Sequence, residues 1–173
     1  MTGKTAVFTI GHSTHPIRDF VEILKAYDVQ RVVDVRTVPR SRHNPQFNKE
    51  VLPNVLKKAK IKYTHMKGLG GLRKTSEGSP NLGWRNASFR GFADYMQTEE
   101  FSGELKRLIK FAGKERLALM CAEAVPWRCH RSLISDALLV RKIEARHIYS
   151  ATNSHPHTLT PFAKVRGMKI TYP

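Results

Sequence analysis

The chain has 173 residues, with 30 lysines and arginines against 14 aspartates and glutamates, so its formal net charge at pH 7 is +16. This length fits one domain with a hydrophobic core, and the 40% hydrophobic content is ordinary for a globular protein. A charge excess that serves solubility alone is usually smaller, about 2–8 for a small domain. We therefore expect a polyanionic partner, either nucleic acid or a phosphorylated small molecule.

The sequence disfavours membrane and secreted proteins. No apolar run approaches the ~18–20 residues that a membrane span needs. The start, residues 1–8, lacks the long apolar stretch of a secretory signal. Two cysteines in a chain of this size do not make a disulfide scaffold. We predict a cytoplasmic protein with no membrane partner and with reduced thiols.

Hydrophobic periodicity predicts strands and helices in alternation through the first part of the chain. Asn48 is placed to cap the second helix, and Pro53 falls inside that helix and should kink it or shift its start. The predicted elements are a strand at 6–10, a helix at 16–24, a strand at 29–35, a loop at 37–47, a helix from 48 to 60 and a strand at 61–65.

The longest irregular stretch is 66–88, which contains five glycines. Loops of this length in a compact domain are usually functional or mobile. The remaining predicted elements are helices at 89–96, 101–112 and 130–142, and strands at 117–121, 145–149 and 168–172.

This alternation predicts an α/β fold, a single domain over residues 1–173 with a mostly parallel central sheet of about five or six strands and helices on both faces. Three predicted strands end in polar clusters, which are Gly11-His12-Ser13, Asp34-Val35-Arg36 and Cys121-Ala122-Glu123. The carboxyl ends of parallel strands share one edge of the sheet, where ligands bind in α/β proteins. If these strands are neighbours, the three clusters meet at that edge.

Taken together, the motifs resemble those of a known family. They are Thr9-Ile10-Gly11-His12-Ser13, Val33-Asp34-Val35-Arg36 with Pro39 and Ser41, Leu69-Gly70-Gly71, and Cys121-Ala122-Glu123 followed by Cys129-His130-Arg131. This set resembles the DUF488 family, a family of unknown function, over nearly the whole chain. The resemblance implies an α/β fold and a site at these residues, and it implies no particular reaction.

Cys121, Glu123 and His130 are the candidate catalytic residues. Cys121 is either a nucleophile whose pKa is lowered by a positive neighbour or a helix amino terminus, or a small buried apolar residue. Glu123 is either a general acid or base, or the ion-pair partner of an arginine. His130 suits proton transfer near neutral pH, and the alternative is a helix-start residue that donates to a carbonyl group.

Candidate substrate-binding or anion-binding residues surround this set. Arginines after the second strand favour phosphate contacts, with a solvated loop as the alternative. Gly70 and Gly71 let the backbone approach a ligand or make a turn, and Trp127 stacks on a base or covers the core. For Asp34 the alternative is an internal salt bridge to Arg36. The full set is His12, Ser13, Asp34, Arg36, Ser41, Arg42, Gly70, Gly71, Arg73, Trp127, Cys129 and Arg131.

Two familiar kinds of site fit the central motif less well. Phosphatase and rhodanese loops have an arginine six positions after the cysteine, where this sequence has Trp127. Cys121, Glu123, Cys129 and His130 carry donor atoms that zinc accepts, but the usual pairs, two cysteines two residues apart or two histidines three apart, are missing. We predict no cofactor and no metal ligand, with zinc kept as a minority alternative.

Two functional hypotheses follow. The first is an enzyme that acts on a phosphate-containing or nucleic-acid substrate at the carboxyl edge, with Arg36, Arg42 and Arg131 holding phosphate. The second is a non-catalytic nucleic-acid-binding module, in which the cysteines and Glu123 only shape the loop. A thiol or redox protein is a weaker third hypothesis, because the seven residues between the cysteines do not match a redox motif.

Overall fold

Strands and helices alternate along the chain in the computed structural model, which describes residues 6–173. The predicted domain over residues 1–173 includes residues 1–5, which lie outside the described residues. The prediction that the chain lacks a secretory signal also rests partly on those five residues. In the described part, no helix combines the length and the apolar character that crossing a membrane requires.

The elements follow the order expected of an α/β protein. Within residues 6–173 the helices are α1 (Ile17–Ala26), α2 (Leu52–Lys58), α3 (Ala87–Tyr95), α4 (Glu99–Ala112) and α5 (Arg131–Val140). The strands are β1 (Ala6–Gly11), β2 (Arg31–Asp34), β3 (Lys62–His65), β4 (Leu117–Cys121), β5 (Glu144–Ser150), β6 (Asn153–Pro156), β7 (Lys164–Arg166) and β8 (Lys169–Thr171).

The central sheet has six strands in the order β3-β2-β4-β1-β5-β6. The first five are parallel to one another, and β6 runs antiparallel to β5 at the border. The fold class and the sheet of about five or six mostly parallel strands are therefore confirmed. β7 and β8 form a separate two-stranded hairpin.

Helices cover both faces of the sheet because each strand alternates its apolar side chains between two cores. On one face, α1 and α2 pack over Phe8, Ile10 and Val32. On the other face, α3, α4 and α5 pack over Val7, Val33 and the alternate residues of β4. The helix that follows β1 and the helix that follows β4 therefore lie on opposite faces of the sheet. Because β1 and β4 are neighbours, the topological switch point lies between them.

The second helix begins later than predicted. The residues before it form a one-turn helix, Pro45–Phe47, and Asn48 ends that turn in an extended conformation. The Asn48 side chain accepts a hydrogen bond from the Ser41 backbone N–H at 2.6 Å, so it does not cap α2. Pro53 then occupies the first turn of α2, where its missing N–H is harmless. The proline shifts the start of the helix, one of the two outcomes expected for it.

The end of the chain contains strands that periodicity did not predict. β6 is short, polar and at the border, so it has no apolar alternation to identify it. Pro156 is tolerated there because a border strand leaves some backbone N–H positions without a ladder partner. The predicted strand at 168–172 is shortened to β8, which pairs with β7 instead of joining the sheet.

The chain after β6 returns across α5 through Asp136, a buried residue of that helix. Asp136 accepts hydrogen bonds from the Thr160 hydroxyl at 2.7 Å and from the Tyr172 hydroxyl at 2.7 Å. The Tyr172 backbone N–H donates to Asn81 Oδ1 at 2.9 Å. These bonds fasten the carboxyl-terminal segment both to α5 and to the long loop at 66–86.

Candidate functional site

The three polar clusters meet at one edge of the sheet. Their strands are neighbours, with β4 between β2 and β1. Backbone pairing continues past the strand ends, because His12 N–H donates to Cys121 O at 2.8 Å and Ser13 N–H donates to Ala122 O at 3.0 Å. The carboxyl edge of the sheet thus carries the residues that the sequence singled out after β1, β2 and β4.

Gly11 allows the loop after β4 to close over the switch point. A Cβ atom at this position would lie 1.7 Å from the carbonyl oxygen of Glu123. The same oxygen accepts a hydrogen bond from Arg131 Nη2 at 2.8 Å. The crevice between β1 and β4 is therefore filled by the protein's own backbone.

Asp34 and Arg36 form a buried ion pair at the end of β2. Arg36 Nε donates to Asp34 Oδ1 at 2.9 Å, and Arg36 Nη2 donates to Oδ2 at 2.7 Å. Nη2 also donates to the Phe47 carbonyl oxygen at 2.7 Å, and the Tyr63 hydroxyl donates to Asp34. This is the internal salt bridge considered for Asp34, and it orients the Arg36 guanidinium toward its own chain.

His12 lies beside this pair and stacks on the ring of Phe47, with ring centroids 4.3 Å apart. Burial and the positive charge of Arg36 lower the pKa of His12 to about 4, so its ring is neutral at pH 7. Nδ1 of the neutral ring donates to Ser13 O at 2.9 Å, which leaves Nε2 to accept from Arg36 at 3.4 Å.

The two cysteines lie against each other beneath the loop after β4. Their sulfur atoms are 2.8 Å apart, and the exposed fractions are 3% for Cys121 and 4% for Cys129. Burial and the contact with Cys129 raise the pKa of Cys121 well above its ordinary value. Burial opposes ionisation of Cys129 too, but the contact with Cys121 and the neighbouring His130 and Arg131 hold its pKa well below the ordinary value. The electrostatics therefore favour Cys129 as the ionised sulfur; a nucleophilic Cys121 stays a prediction.

Arg131 is a buried cation at the first turn of α5, with an exposed fraction of 1%. Its Nη1 donates to the Thr9 hydroxyl at 3.0 Å, and its Nε has no hydrogen-bond partner within residues 6–173. No carboxylate of the described residues pairs with it, and its backbone N–H donates to the neighbouring Cys129 sulfur at 3.4 Å.

His130 fixes the long loop against the strand ends. Its Nε2 lies 2.9 Å from Val35 O and 3.0 Å from Leu69 O, so the ring N–H donates to backbone carbonyls. This is the helix-start alternative considered for His130. Gly71 packs against the other side of the ring, where a Cβ would lie 2.6 Å from His130 Nδ1. Gly70 likewise lies against Thr37, so both glycines serve close packing of the protein's own chain.

The remaining candidate residues are either exposed or bonded within their own loops. Glu123 is exposed, and its carboxylate makes no ion pair within residues 6–173. Trp127 is 63% exposed, so it does not cover the core. Arg42 is exposed in the loop after β2, whereas Ser41 accepts a hydrogen bond from Asn44 N–H within that loop. Arg73 lies over the Tyr95 ring at 3.6 Å and donates to backbone carbonyls of its own loop.

Sequence reasoning missed a cleft beside this edge. It has a volume of about 410 Å³ and lies between the loop after β4, the start of α5 and the chain after β5. Both tryptophans of the protein line it, together with Tyr149, Phe162 and the histidines of β5 and the following segment. The pairing of Trp84 with Arg85 and of Trp127 with Arg128 was the available signal. His155 lies in β6 and His157 just after it, and that short polar strand has no apolar alternation to identify it.

A chain of hydrogen bonds connects the cleft to Arg131. His157 Nε2 lies 2.7 Å from Asp136 Oδ1, and its Nδ1 lies 2.9 Å from His147 Nε2. The other nitrogen of His147 contacts the Thr9 hydroxyl, to which Arg131 donates. Burial and the adjacent His157 lower the pKa of His147 to about 3, so this ring is neutral at pH 7. The cleft floor is therefore held in one arrangement.

In residues 6–173 the structure brings together no cluster of three or more histidine, cysteine, aspartate or glutamate side chains that could hold a metal ion. Of the four residues considered for zinc, the two cysteines and His130 lie in contact, with Cys129 Sγ 2.8 Å from Cys121 Sγ and 3.5 Å from His130 Nδ1, whereas Glu123 is exposed.

A doubly wound α/β protein with a polar carboxyl edge is the class that this fold and site define. The family model described as "Domain of unknown function DUF488" matches residues 16–138. The match covers most of the chain, and the chain belongs to this family. His12 and Ser13 lie outside the matched range, and so do the strands after α5 that complete the cleft. No curated protein and no solved structure matches the chain.

Proposed function

We propose that the protein binds nucleic acid, or a smaller phosphate-containing ligand, through exposed cations along the carboxyl edge of the sheet. The observation that supports this is the division between buried and exposed groups at that edge. The buried arginines, Arg36 and Arg131, are hydrogen-bonded to their own chain. Arg42, Arg128 and their exposed neighbours are left to contact a partner.

The exposed cations belong to loops that follow three adjacent strands. Within residues 6–173, none of them forms an ion pair with a carboxylate at 4.0 Å or less. Such guanidinium and ammonium groups contact phosphate without the cost of breaking an internal pair. They are Arg42 after β2, Lys67, Lys74 and Arg85 after β3, and Arg128 after β4.

The test is the affinity for DNA and RNA oligomers as a function of salt. Binding through phosphates makes log K fall linearly with log salt, by about 0.7–0.9 in slope for each phosphate neutralised. Replacing Arg42 and Arg128 by glutamine should weaken binding at low salt and reduce the slope by about 1–2. Lys110→Gln is the matched control, because Lys110 is exposed in the last turn of α4, at the opposite end of the sheet. No binding of any oligomer or of a nucleoside monophosphate at low salt would defeat the proposal.

A second candidate function is an enzyme whose nucleophile is Cys129. The specific observation is the buried Arg131 without a carboxylate partner, next to a sulfur that also accepts from the Arg131 backbone N–H at 3.4 Å. A thiolate at a helix amino terminus is the usual form of an activated cysteine.

Alkylation with iodoacetamide across a pH series tests this candidate. Peptide mass spectrometry should find Cys129 modified at lower pH than Cys121, and Cys121→Ser should shift the Cys129 profile toward higher pH. A screened panel of nucleotides and oligonucleotides would then be compared between wild type, Cys129→Ser and Glu123→Gln. Equal turnover in all three proteins would remove both residues from the mechanism.

A further inference from the structure

We infer that the cleft between Trp84 and Trp127 binds an unpaired nucleobase, so that the nucleic acid bound at the carboxyl edge is single-stranded. This inference rests on the proposed function, because it assigns the base to the cleft and the phosphates to the exposed cations around it.

The lining of the cleft differs from the rest of the molecule. In a chain with a net charge of +16, none of the lysines, arginines, aspartates and glutamates of the described residues lines it. Its walls are aromatic rings, prolines and threonines, with His147 and His157 held neutral or paired at the floor. Phosphate is poorly matched to such a surface, whereas a flat uncharged heterocycle is well matched to it.

The arrangement of the aromatic side chains suits stacking. Trp84 packs edge to face on Phe162 at 4.9 Å and contacts Tyr172 at 5.4 Å, so its ring is fixed. Trp127 also lines the cleft, and its 63% exposure leaves the ring accessible to an entering base. The Trp84 Nε1–H is buried and has no hydrogen-bond partner within residues 6–173.

Charge on the rim complements the uncharged interior. Arg85 and Arg128 each directly follow one of the two tryptophans, both are exposed, and neither pairs with a carboxylate in the described residues. A phosphate next to a base in the cleft would therefore have an exposed guanidinium in a lining loop available to it. Single-strand binders combine cations that follow the backbone with aromatic rings that stack on the bases in the same way.

Intrinsic fluorescence reports on this site directly, because the only two tryptophans of the chain line the cleft. The probes are an oligodeoxythymidylate of about twelve nucleotides, within the usual footprint of single-strand binders, an abasic oligomer of equal length, and thymidine monophosphate. We expect quenching by the oligodeoxythymidylate and none by the abasic oligomer. Quenching by the monophosphate at equal concentration would assign the base site to a free nucleotide.

Trp127→Ala should weaken oligodeoxythymidylate binding by about fivefold to a hundredfold, the range that loss of one stacked base gives, and should leave abasic binding unchanged. Trp127 is exposed, so the variant should fold normally; Val51→Ala, an exposed apolar residue before α2 on the other face, is the control. Salt-dependent binding of both oligomers with equal affinity, unaffected by Trp127→Ala, would overturn the base site and leave the proposed function standing.

Two further outcomes are distinguishable. No binding of either oligomer or of the monophosphate at low salt would overturn the proposed function and the base site together. A proline-rich peptide is titrated in parallel, because aromatic grooves also accept that ligand. Quenching by the peptide in place of the oligomers would overturn the base assignment.

Discussion

Asp34 shows how the residues at the carboxyl edge are used. Its carboxylate is fully buried and accepts hydrogen bonds from Arg36 and Tyr63. A buried ion pair is costly to assemble, but removing one partner is costlier because the other charge is left without compensation. The pair therefore acts to fix the loop after β2 in place.

We predict that Asp34→Ala lowers the free energy of unfolding by about 3–5 kcal/mol, measured by urea denaturation. Glu50→Ala is the matched control. It breaks the Arg40–Glu50 pair, in which both side chains are more than half exposed, and should cost no more than about 1 kcal/mol. Equal effects of the two changes would contradict the structural role of Asp34.

Gly11 is a second residue whose identity is fixed by its surroundings. Gly11→Ala places a Cβ against the Glu123 carbonyl and must displace the loop after β4, so we expect destabilisation of about 1–3 kcal/mol or more. Gly103→Ala in α4 is the control, because a Cβ there meets no atom within 4 Å. It should stabilise the protein by about 0.5–1 kcal/mol. Thermal melts of both variants check the two signs.

For single residues, the sequence predicted where the site residues lie better than it predicted which groups they bond to. Motif spacing and strand ends predicted that His12, Arg36 and Cys121 would lie together. The salt bridge between Asp34 and Arg36 was only one of two interpretations of the sequence, and the bond from Arg36 to the Phe47 carbonyl was not foreseen. Hydrogen-bond partners depend on loop conformations that periodicity does not encode. Sequence reasoning also missed His147 and His157, whose contacts depend on the antiparallel strand β6 and on a tail that returns across α5.

At the scale of elements, one carboxylate joins several segments at the amino edge of the sheet. Glu115, just before β4, accepts hydrogen bonds from Arg31 at the start of β2 and from Lys62 at the start of β3. The hydrogen bonds from Arg31 and then from Lys62 lower the pKa of Glu115 from 4.5 to about 2. These three strands are adjacent, so the cluster aligns their first residues.

The lowered pKa sets a pH window for this cluster. Since the folded pKa lies below the unfolded value of 4.5, the stabilisation is complete above about pH 4.5 and is lost as pH falls through about 2. We predict that Glu115→Gln is less stable than wild type near neutral pH and that the difference shrinks toward pH 2. Urea denaturation at a series of pH values measures it. Glu22→Gln, on the exposed side of α1, should follow the wild-type curve throughout.

For the whole molecule, the buried neutral histidines make folding sensitive to acid. The folded pKa values of His12 and His147 are about 4 and about 3, below the ordinary 6.5. The unfolded chain therefore binds more protons between these values and 6.5, and stability falls as pH falls through that range. The high net positive charge adds repulsion that grows under the same conditions.

We predict that His12→Asn loses less stability than wild type between about pH 7 and about pH 4.5, because one buried titrating group is gone. His43→Asn, a change at an exposed histidine, should lose as much as wild type. Free energies of unfolding from urea titrations at both pH values decide the matter. A His12→Asn slope equal to that of wild type would contradict the burial argument.

The fastening of the carboxyl-terminal segment affects much more of the molecule than its own length. Tyr172 bonds to Asp136 of α5 through its hydroxyl and to Asn81 of the long loop through its backbone. Its ring also packs against Trp84. One residue therefore couples α5, the long loop and a wall of the cleft, so a disturbance at Tyr172 would spread to parts of the molecule that are distant from it in sequence.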